Sequence, residues 1–273
     1  MSLLLDAHAH LHDASLDGAL DAARANFDRA AVRLGLQPSA CVLFLTEGRA
    51  ERRLDEALRA REIGRWTLYP TPEPDVVRAD APGAPGLLLV AGRQARTEEG
   101  IEVHALGMRA PLRDGRRLDE TLAEARRAGA LVVLPWGVGK WWGRRGRCVR
   151  EVLDREGDVL VSDNGGRPWL WPTPTLIRRE RARGRPVLAG SDPLPIDGDH
   201  ARLGSYGCVA DADLAGPAPV DGLLRALRAS ELGLRTYGAR AGALRFMRAQ
   251  TRLRRRRAGR PAVAASSLRH PEA

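Results

Sequence analysis

The amino-acid sequence, 273 residues long, predicts an α/β fold in which parallel strands alternate with helices and close into a barrel. Three observations favour this fold. Short apolar runs alternate with longer stretches of helical spacing, glycines follow the predicted helices, and polar side chains follow the predicted strands. Because the carboxyl ends of the strands converge on one face of a barrel, we expect these polar side chains to form one site, whereas an open sheet would spread them along an edge.

The predicted strands are mostly apolar at successive positions, which is typical of strands buried on both faces of a parallel sheet. They are residues 3–7, 41–45, 87–91, 101–106, 131–134, 159–161 and 187–189. The stretches with helical spacing are residues 16–34, 51–63, 118–128, 148–156 and 174–183. A glycine follows each of them, where a left-handed residue commonly ends a helix. These glycines are Gly35, Gly64, Gly129, Gly157 and Gly184.

The remaining segments are predicted from composition. Residues 70–74 and 81–86 are expected to be loops, and 197–219 a long connection that can act as a lid. Two closing helices are expected at 222–232 and 235–253. The sequence therefore predicts one domain over residues 1–253 and a disordered, arginine-rich tail over 254–273, which has little apolar surface to bury.

The chain carries a formal net charge of +10, which raises the question of a nucleic-acid partner. Nearly all of the positive charge is arginine, with Lys140 the only lysine, and part of it lies in residues 252–260. This pattern is more typical of a GC-rich coding sequence than of a designed basic face. We therefore expect a small anionic molecule rather than nucleic acid as the partner.

Several features predict a cytoplasmic protein that does not enter a membrane. No apolar run approaches the roughly 20 residues of a membrane helix. Asp6 and His8 interrupt the first apolar stretch, and no basic segment precedes it, so a signal peptide is not expected. The three cysteines, Cys41, Cys148 and Cys208, are scattered without metal-type spacing and are expected to be reduced.

The first strand leads into the motif Asp6-Ala7-His8-Ala9-His10. Alternate residues of a strand point the same way, so His8 and His10 are expected to project together into the barrel mouth. Two imidazoles at this spacing can chelate one divalent ion, and Asp6 can orient one ring. A surface histidine cluster is the alternative interpretation.

A third ligand is expected from Asp192, which follows the last core strand in Gly190-Ser191-Asp192-Pro193. Its carboxylate can bind the metal or accept a proton from the metal's water. A helix cap or a turn before the proline is the alternative role for this residue.

Residues 6–10 and 190–192 together resemble the barrel-shaped metal-dependent hydrolases, most closely the PHP (polymerase and histidinol phosphatase) family. The resemblance covers most of residues 1–195. Residues 45–48, 91–94, 103–107 and 128–136 stand where that family has its Thr-Asp-His, Gly-x-Glu, His-x-Leu-Gly and Ala-His-Pro segments. It implies a (β/α)7-type barrel, a distorted TIM barrel, with metal-dependent phosphoesterase activity. The opening motif is also similar to amidohydrolases and TatD-like nucleases.

The departures from the family pattern fall on ligand positions. Glu47-Gly48 replaces Asp-His, Gln94 replaces a glutamate, Trp136 stands where a histidine is expected, and so does Leu194. These replacements argue against a three-metal cluster. The resemblance then implies one metal, held by His8, His10 and Asp192 with Glu47 or Asp163; zinc, manganese and iron remain open.

Two further segments are candidates for substrate binding. In the first, Trp136 and Lys140 belong to a loop rich in tryptophan, glycine and arginine, which can approach an anion or simply pack onto the barrel. In the second, Asp163, Asn164 and Arg167 surround Gly165-Gly166, which is either a ligand loop or an ordinary turn.

The favoured function is a metal-dependent hydrolase for a small anionic substrate such as a phosphoester. Asp192, Glu47 and Asp163 are its candidate catalytic residues, and the metal's water is the expected nucleophile. Substrate is expected to contact Arg93, Lys140, Asn164, Arg167 and Trp136, with Lys140 and Arg167 forming one anion subsite in the His8 pocket. A degenerate, non-catalytic barrel that binds a phosphorylated or sugar-like ligand is the first alternative. A nucleic-acid-associated protein that uses its arginine-rich C-terminus is the second.

Overall fold

The computed structural model describes residues 1–12, 16–212 and 218–258, with the backbone alone for 254–258. The helices are α1 (Leu16–Leu34), α2 (Arg53–Ala60), α3 (Leu118–Arg127), α4 (Arg144–Arg155), α5 (Thr175–Ala182), α6 (Pro219–Arg228) and α7 (Ala243–Ala258). The strands are β1 (Ser2–Ala9), β2 (Ala40–Leu45), β3 (Glu62–Ile63), β4 (Trp66–Pro70), β5 (Val76–Ala81), β6 (Ala84–Val90), β7 (Gly92–Arg96), β8 (Glu102–Leu106), β9 (Leu131–Pro135), β10 (Leu160–Asn164), β11 (Val187–Gly190), β12 (Tyr206–Asp211) and β13 (Leu234–Gly238).

These strands form two sheets. The first has the order β13-β12-β1-β2-β6-β5-β4-β3, and the second has the order β11-β10-β9-β8-β7. Pairing is parallel between β1, β2 and β6 and between β9, β10 and β11, and antiparallel elsewhere. The protein is therefore a mixed α/β fold, and each of its two parallel runs is flanked by antiparallel strands.

The seven predicted strands and the five predicted helices are all present, with shifts of a few residues at their ends. Strands β9 and β10 are buried at every position, as their unbroken apolar runs predicted. Four of the five predicted helix-ending glycines have a positive φ angle, and Gly157 does not. Local sequence patterns therefore located most of the regular structure.

The predicted closed barrel is not shown, because the two sheets meet without continuous ladders. At one seam the Asp192 amide donates to the His8 carbonyl at 2.8 Å, which links the end of β11 to β1. At the other seam the Glu47 amide donates to Gly92 O at 3.1 Å, and the Gln94 amide donates to Glu47 O at 2.9 Å. These contacts bring the carboxyl ends of β1, β2 and β11 together without a closed barrel.

Two of the predicted connecting and closing segments contain strands instead. The predicted lid holds a 3-10 turn, Asp199–Arg202, and β12, which pairs antiparallel with β1. The predicted helix over 235–253 begins as β13, which pairs with β12, and becomes helical only from Ala243. The flanking glycines and aspartates predicted a connection, but β12 is a strand because it pairs with β1.

The predicted loop over 81–86 is mostly strand: residue 81 ends β5 and residues 84–86 begin β6, which leaves a tight hairpin turn at 82–83. Helix α7 continues to Ala258, beyond the predicted start of the tail at 254. Residues 213–217 of the predicted lid and 259–273 of the predicted tail lie outside the described residues, so the domain boundary stays a prediction. Within the described part of the chain, no helix combines the length and apolarity needed to cross a membrane.

Candidate metal centre

Three side chains from the ends of β1 and β11 converge on one point. His8 lies in β1, His10 directly follows it, and Asp192 follows β11. The two Nε2 atoms are 3.1 Å apart, and Asp192 Oδ1 lies 3.4 Å from His8 Nε2 and 3.7 Å from His10 Nε2. Among the described residues, this is the one group of histidine, cysteine and carboxylate side chains with metal-ligand spacing.

The donor set of this group fits a divalent ion. Bonds of about 2.0–2.2 Å around a tetrahedral zinc place ligand atoms about 3.3–3.6 Å apart, close to the spacing of these three donors. Two imidazole nitrogens and a carboxylate oxygen are also the usual ligands of a site that keeps one coordination position open. The three residues can therefore hold one metal ion.

Asp192 is held in place from several sides. Its φ angle is 45°, in the left-handed region that aspartate tolerates better than most residues. Asn164 donates through Nδ2 to its Oδ2. Burial raises the pKa of Asp192, but the neighbouring His8, His10 and Lys140 outweigh it and lower the pKa to about 2. The carboxylate is therefore ionised at neutral pH, as a metal ligand must be.

The histidine rings are oriented by packing against other imidazoles. The His8 ring meets the His104 ring edge to face at 4.2 Å between centroids, and His10 stacks on His12 at 4.9 Å. Among the described residues, the Nδ1 atoms of His8 and His10 have no hydrogen-bond partner. Burial, followed by the proximity of His8, lowers the pKa of His10 well below its usual value. The His10 imidazole is therefore neutral and available as a ligand at neutral pH.

Asp6 organises the backbone around the site. It was expected to orient one histidine ring, but its hydrogen bonds go to backbone amides and a hydroxyl instead. Its Oδ1 accepts from the amides of His8 at 3.2 Å and Ser191 at 2.9 Å. Its Oδ2 accepts from the Ser191 hydroxyl at 2.6 Å and from the Gly204 amide at 2.8 Å. This fully buried carboxylate therefore links β1 to the segment that carries Asp192.

The candidate ligands open into a cavity of about 1000 Å³. Lys140 lines this cavity together with Gln94, Glu102 and the metal-binding group. Its Nζ forms an ion pair with Glu102. Lys140 therefore lies where the sequence predicted a cation for the substrate, although a carboxylate neutralises it here.

Glu47 and Arg93 form a buried ion pair outside the metal-binding group. Arg93 Nη1 donates to Glu47 Oε2 at 2.7 Å, and the Leu54 amide donates to Glu47 Oε1 at 2.8 Å. Burial raises the pKa of Glu47, while the Leu54 amide and Arg93 oppose that shift. Glu47 was expected as a metal ligand and Arg93 as a substrate contact, but neither residue lines the metal cavity.

Asp163 and Arg167 form a second buried pair, and both side chains are 2% exposed. Arg167 donates to Asp163 Oδ1 at 2.8 Å and to Oδ2 at 2.6 Å, and the Tyr206 hydroxyl donates at 3.0 Å. Arg167 lines a separate small cavity with Arg181 and Arg240. The structure therefore does not bring Arg167 and Lys140 into one anion subsite in the His8 pocket.

Trp136 is also outside the metal cavity, since its buried ring packs edge-on against Trp171.

The sequence did not predict a role for His104, although its strand matched a family segment. His104 is fully buried beneath His8 and its Nε2 lies 3.1 Å from Gln94 Oε1. A lone histidine in an otherwise apolar strand was the signal that could have identified it.

Gly190 permits the close approach of β11 and β1 beneath this site. A Cβ atom at residue 190 would press on the His8 backbone, 2.7 Å from its Cα. We expect Gly190→Ala to lower the free energy of unfolding by about 1–3 kcal/mol and to weaken metal binding, because the two strands must separate. Chemical denaturation and metal titration measure both effects.

Gly222→Ala is the matched control, because a Cβ in helix α6 meets no atom within 4 Å. It is expected to stabilise the helix by about 0.5–1 kcal/mol. Equal stability of the two variants would show that β1 and β11 tolerate a wider spacing.

By sequence, no family model and no curated protein matches the chain. The fold is similar to PsfC from Pseudomonas syringae PB-5123, with a TM-score of 0.52, 12% identity, and coverage of 94% of this chain and 98% of that one. It is also similar to the lesion-specific endonuclease PfuEndoQ from Pyrococcus furiosus, with a TM-score of 0.52 and 12% identity. That match covers 87% of this chain and 59% of the endonuclease. At this identity the likeness concerns the fold alone, and it supports a PHP-like fold for the chain.

Proposed function

We propose that this protein is a metal-dependent hydrolase of the PHP-like type that acts on an anionic phosphoester. The observation that carries the proposal is the convergence of His8, His10 and Asp192 at a cavity of about 1000 Å³. The sequence resemblance to a phosphoesterase family and the PHP-like fold of the structural neighbours support the same chemistry. In this proposal the two sheets are the parts of a distorted (β/α)7-type barrel.

Each residue of the site has a defined task in this proposal. His8, His10 and Asp192 hold one divalent ion, and Asn164 orients the Asp192 carboxylate. When bound, such an ion polarises a phosphoryl oxygen as a Lewis acid. Lys140 lines the same cavity and is the cation assigned to the substrate, and Glu102 holds its ammonium at the cavity wall. Zinc, manganese and iron all accept this donor set, so the metal is left open.

Nucleic acid is a second source of the phosphoester in this proposal. The expectation of a small molecule rested on composition, whereas one structural neighbour is described as a lesion-specific endonuclease. The chain spans 59% of that neighbour, so its substrate does not transfer directly to this protein. A phosphodiester substrate therefore belongs in the test beside a monoester.

The test compares hydrolysis of p-nitrophenyl phosphate, bis(p-nitrophenyl) phosphate and the uncharged p-nitrophenyl acetate. Protein stripped by a chelator is expected to be inactive and to recover activity on a phosphoester with zinc, manganese or iron. Asp192→Ala is expected to lower that rate by at least about 100-fold, because even residues that only orient metal ligands commonly contribute 10–100-fold. Asp197→Ala is the control, because it removes an exposed carboxylate from the same loop. Its rate of hydrolysis is expected to be close to that of the wild type.

The rival interpretation, a degenerate barrel that only binds its ligand, predicts a different result. Metal binding without hydrolysis of any of these esters would favour that alternative. Failure to bind any of the three metals would contradict the proposed hydrolase outright.

A further inference from the structure

A second cavity, of about 710 Å³, lies between the loop that follows β9 and the loop that follows β10. Two kinds of side chain dominate its walls. The aromatic ones include Trp136, Trp142 and Trp171, and the basic ones are Arg147, Arg150 and Arg178. Neither the proposed metal site nor the proposed hydrolysis uses this cavity.

One part of the aromatic wall is packed against other rings, and another part is exposed. Trp136 is buried and packs edge-on against Trp171, whose ring also contacts Phe246 at 5.6 Å between centroids. Trp142, by contrast, is 66% exposed and stacks on no other ring of the described residues. A tryptophan buries about 150–250 Å² when it is covered. Trp142 therefore offers an uncovered face to a flat ring, beside tryptophans that pack against other rings.

The basic wall is not neutralised within the described part of the chain. Arg147 and Arg150 form no ion pair with a described residue, and the Arg178 guanidinium donates only to the Thr175 hydroxyl, at 3.5 Å, among the described residues. Some other surface arginines are paired, such as Arg155 with Asp119 at 2.7 Å. Because three arginines and no described carboxylate line the cavity, it suits an anion.

The starts of two helices add to this positive potential. Helix α4 follows Gly143 and helix α5 follows Pro174, and neither has a side-chain cap or an acidic residue in its first turn. Both of these residues line the cavity. Uncapped N-terminal amides carry partial positive charge and attract anions. The helix starts therefore reinforce what the arginines already indicate.

We infer that this cavity binds a nucleobase together with its phosphate. Trp142 stacks on the base, and Arg147 and Arg150 contact the phosphate. A sugar is the competing ring, but sugar hydroxyls need strong acceptors, and no carboxylate or carboxamide lines the described cavity. Arginine only donates hydrogen bonds, which matches phosphate oxygens and the acceptors on a base edge. The nucleotide can be free or part of a single strand, since both present the same chemistry.

The experiment measures binding of AMP and of a short fluorescent oligothymidylate in the presence of EDTA. Because metal is excluded, the result is independent of the proposed hydrolase. Trp142→Ala is expected to weaken binding about 5- to 150-fold, which corresponds to about 1–3 kcal/mol for one stacked base. The double variant Arg147→Ala/Arg150→Ala is expected to reduce the salt slope of oligonucleotide binding by about 2.

Two matched controls separate the cavity from the general surface. Trp169 is 58% exposed but does not line the cavity, and Arg155 lies on the same helix as Arg150 but is paired. Trp169→Ala and Arg155→Ala are expected to leave the affinity within about twofold, as for surface positions outside the binding site. Circular dichroism and thermal melting check that all variants are folded.

Each outcome decides a point. Binding of AMP assigns the site to a free nucleotide, and binding of the oligonucleotide alone assigns it to a strand; both support the inference. Competition by ribose 5-phosphate as strong as that by AMP would show that the base is not recognised, and would overturn it. So would control variants that weaken binding as much as Trp142→Ala, or no binding of either probe at about 1 mM.

Discussion

Replacing Asp163 by alanine is expected to lower the free energy of unfolding by about 3–5 kcal/mol, because it leaves the Arg167 guanidinium buried without a counter-charge. Both side chains of this pair are 2% exposed, and Asp163 accepts two hydrogen bonds from Arg167 and one from Tyr206. A loss of this size is a large fraction of the stability of an ordinary domain. Urea denaturation monitored by tryptophan fluorescence measures it.

Asp158→Ala is the matched control for this prediction. Asp158 also accepts two hydrogen bonds from one arginine, Arg126, but its side chain is 35% exposed. Exposed pairs contribute about 0–1 kcal/mol, so a small change is expected. A loss of stability no larger than that of the control would show that the buried pair contributes little and would contradict this prediction.

The pH dependence of the Asp163 effect has a definite sign. Burial raises the pKa of Asp163, but the Arg167 hydrogen bonds and charge outweigh burial, and the net pKa lies below 3.8. A carboxyl with a lowered pKa stabilises the folded state above its unfolded pKa and loses that contribution as the pH falls through its folded pKa. The difference in the free energy of unfolding between wild type and Asp163→Ala is therefore expected to be constant near neutral pH and to shrink below pH 3.8.

The sequence predicted local elements better than it predicted how they pair. Unbroken apolar runs such as those of β9 and β10 identify buried strands whatever the topology. The order of strands depends on contacts between distant segments, and these leave little local trace. Strand β12 illustrates this: it pairs with β1, about two hundred residues earlier, and its flanking glycines predicted a loop.

The same distinction applies to the site. His8, His10 and Asp192 could be found because a strand end places each of them at the same edge. Glu47 also follows a strand. The sequence cannot show that Arg93 approaches it from a neighbouring strand and forms an ion pair with its carboxylate. The position of a polar residue at a strand end was therefore predictable, whereas the partner that neutralises it was not.

His8→Ala is expected to raise the dissociation constant for zinc by at least about 100-fold, because it removes one of three convergent donors. The measurement is competition with a chromophoric chelator, using protein stripped of metal. His12→Ala is the matched control: His12 belongs to the same motif and lines the same cavity, but it is outside the donor group. Its replacement is expected to change the affinity only a few-fold, by loosening the His10 ring on which it stacks.

The His8 and His12 variants also distinguish a metal centre from a buried histidine cluster. In a cluster without metal, the rings contribute mainly packing, so both variants would lose stability and neither would change zinc affinity specifically. In a metal centre, added zinc raises the melting temperature of wild type and of His12→Ala, because it binds the folded state, and has little effect on His8→Ala. A zinc-induced shift of equal size in all three proteins would place the ion elsewhere and refute the assignment of His8 as a ligand.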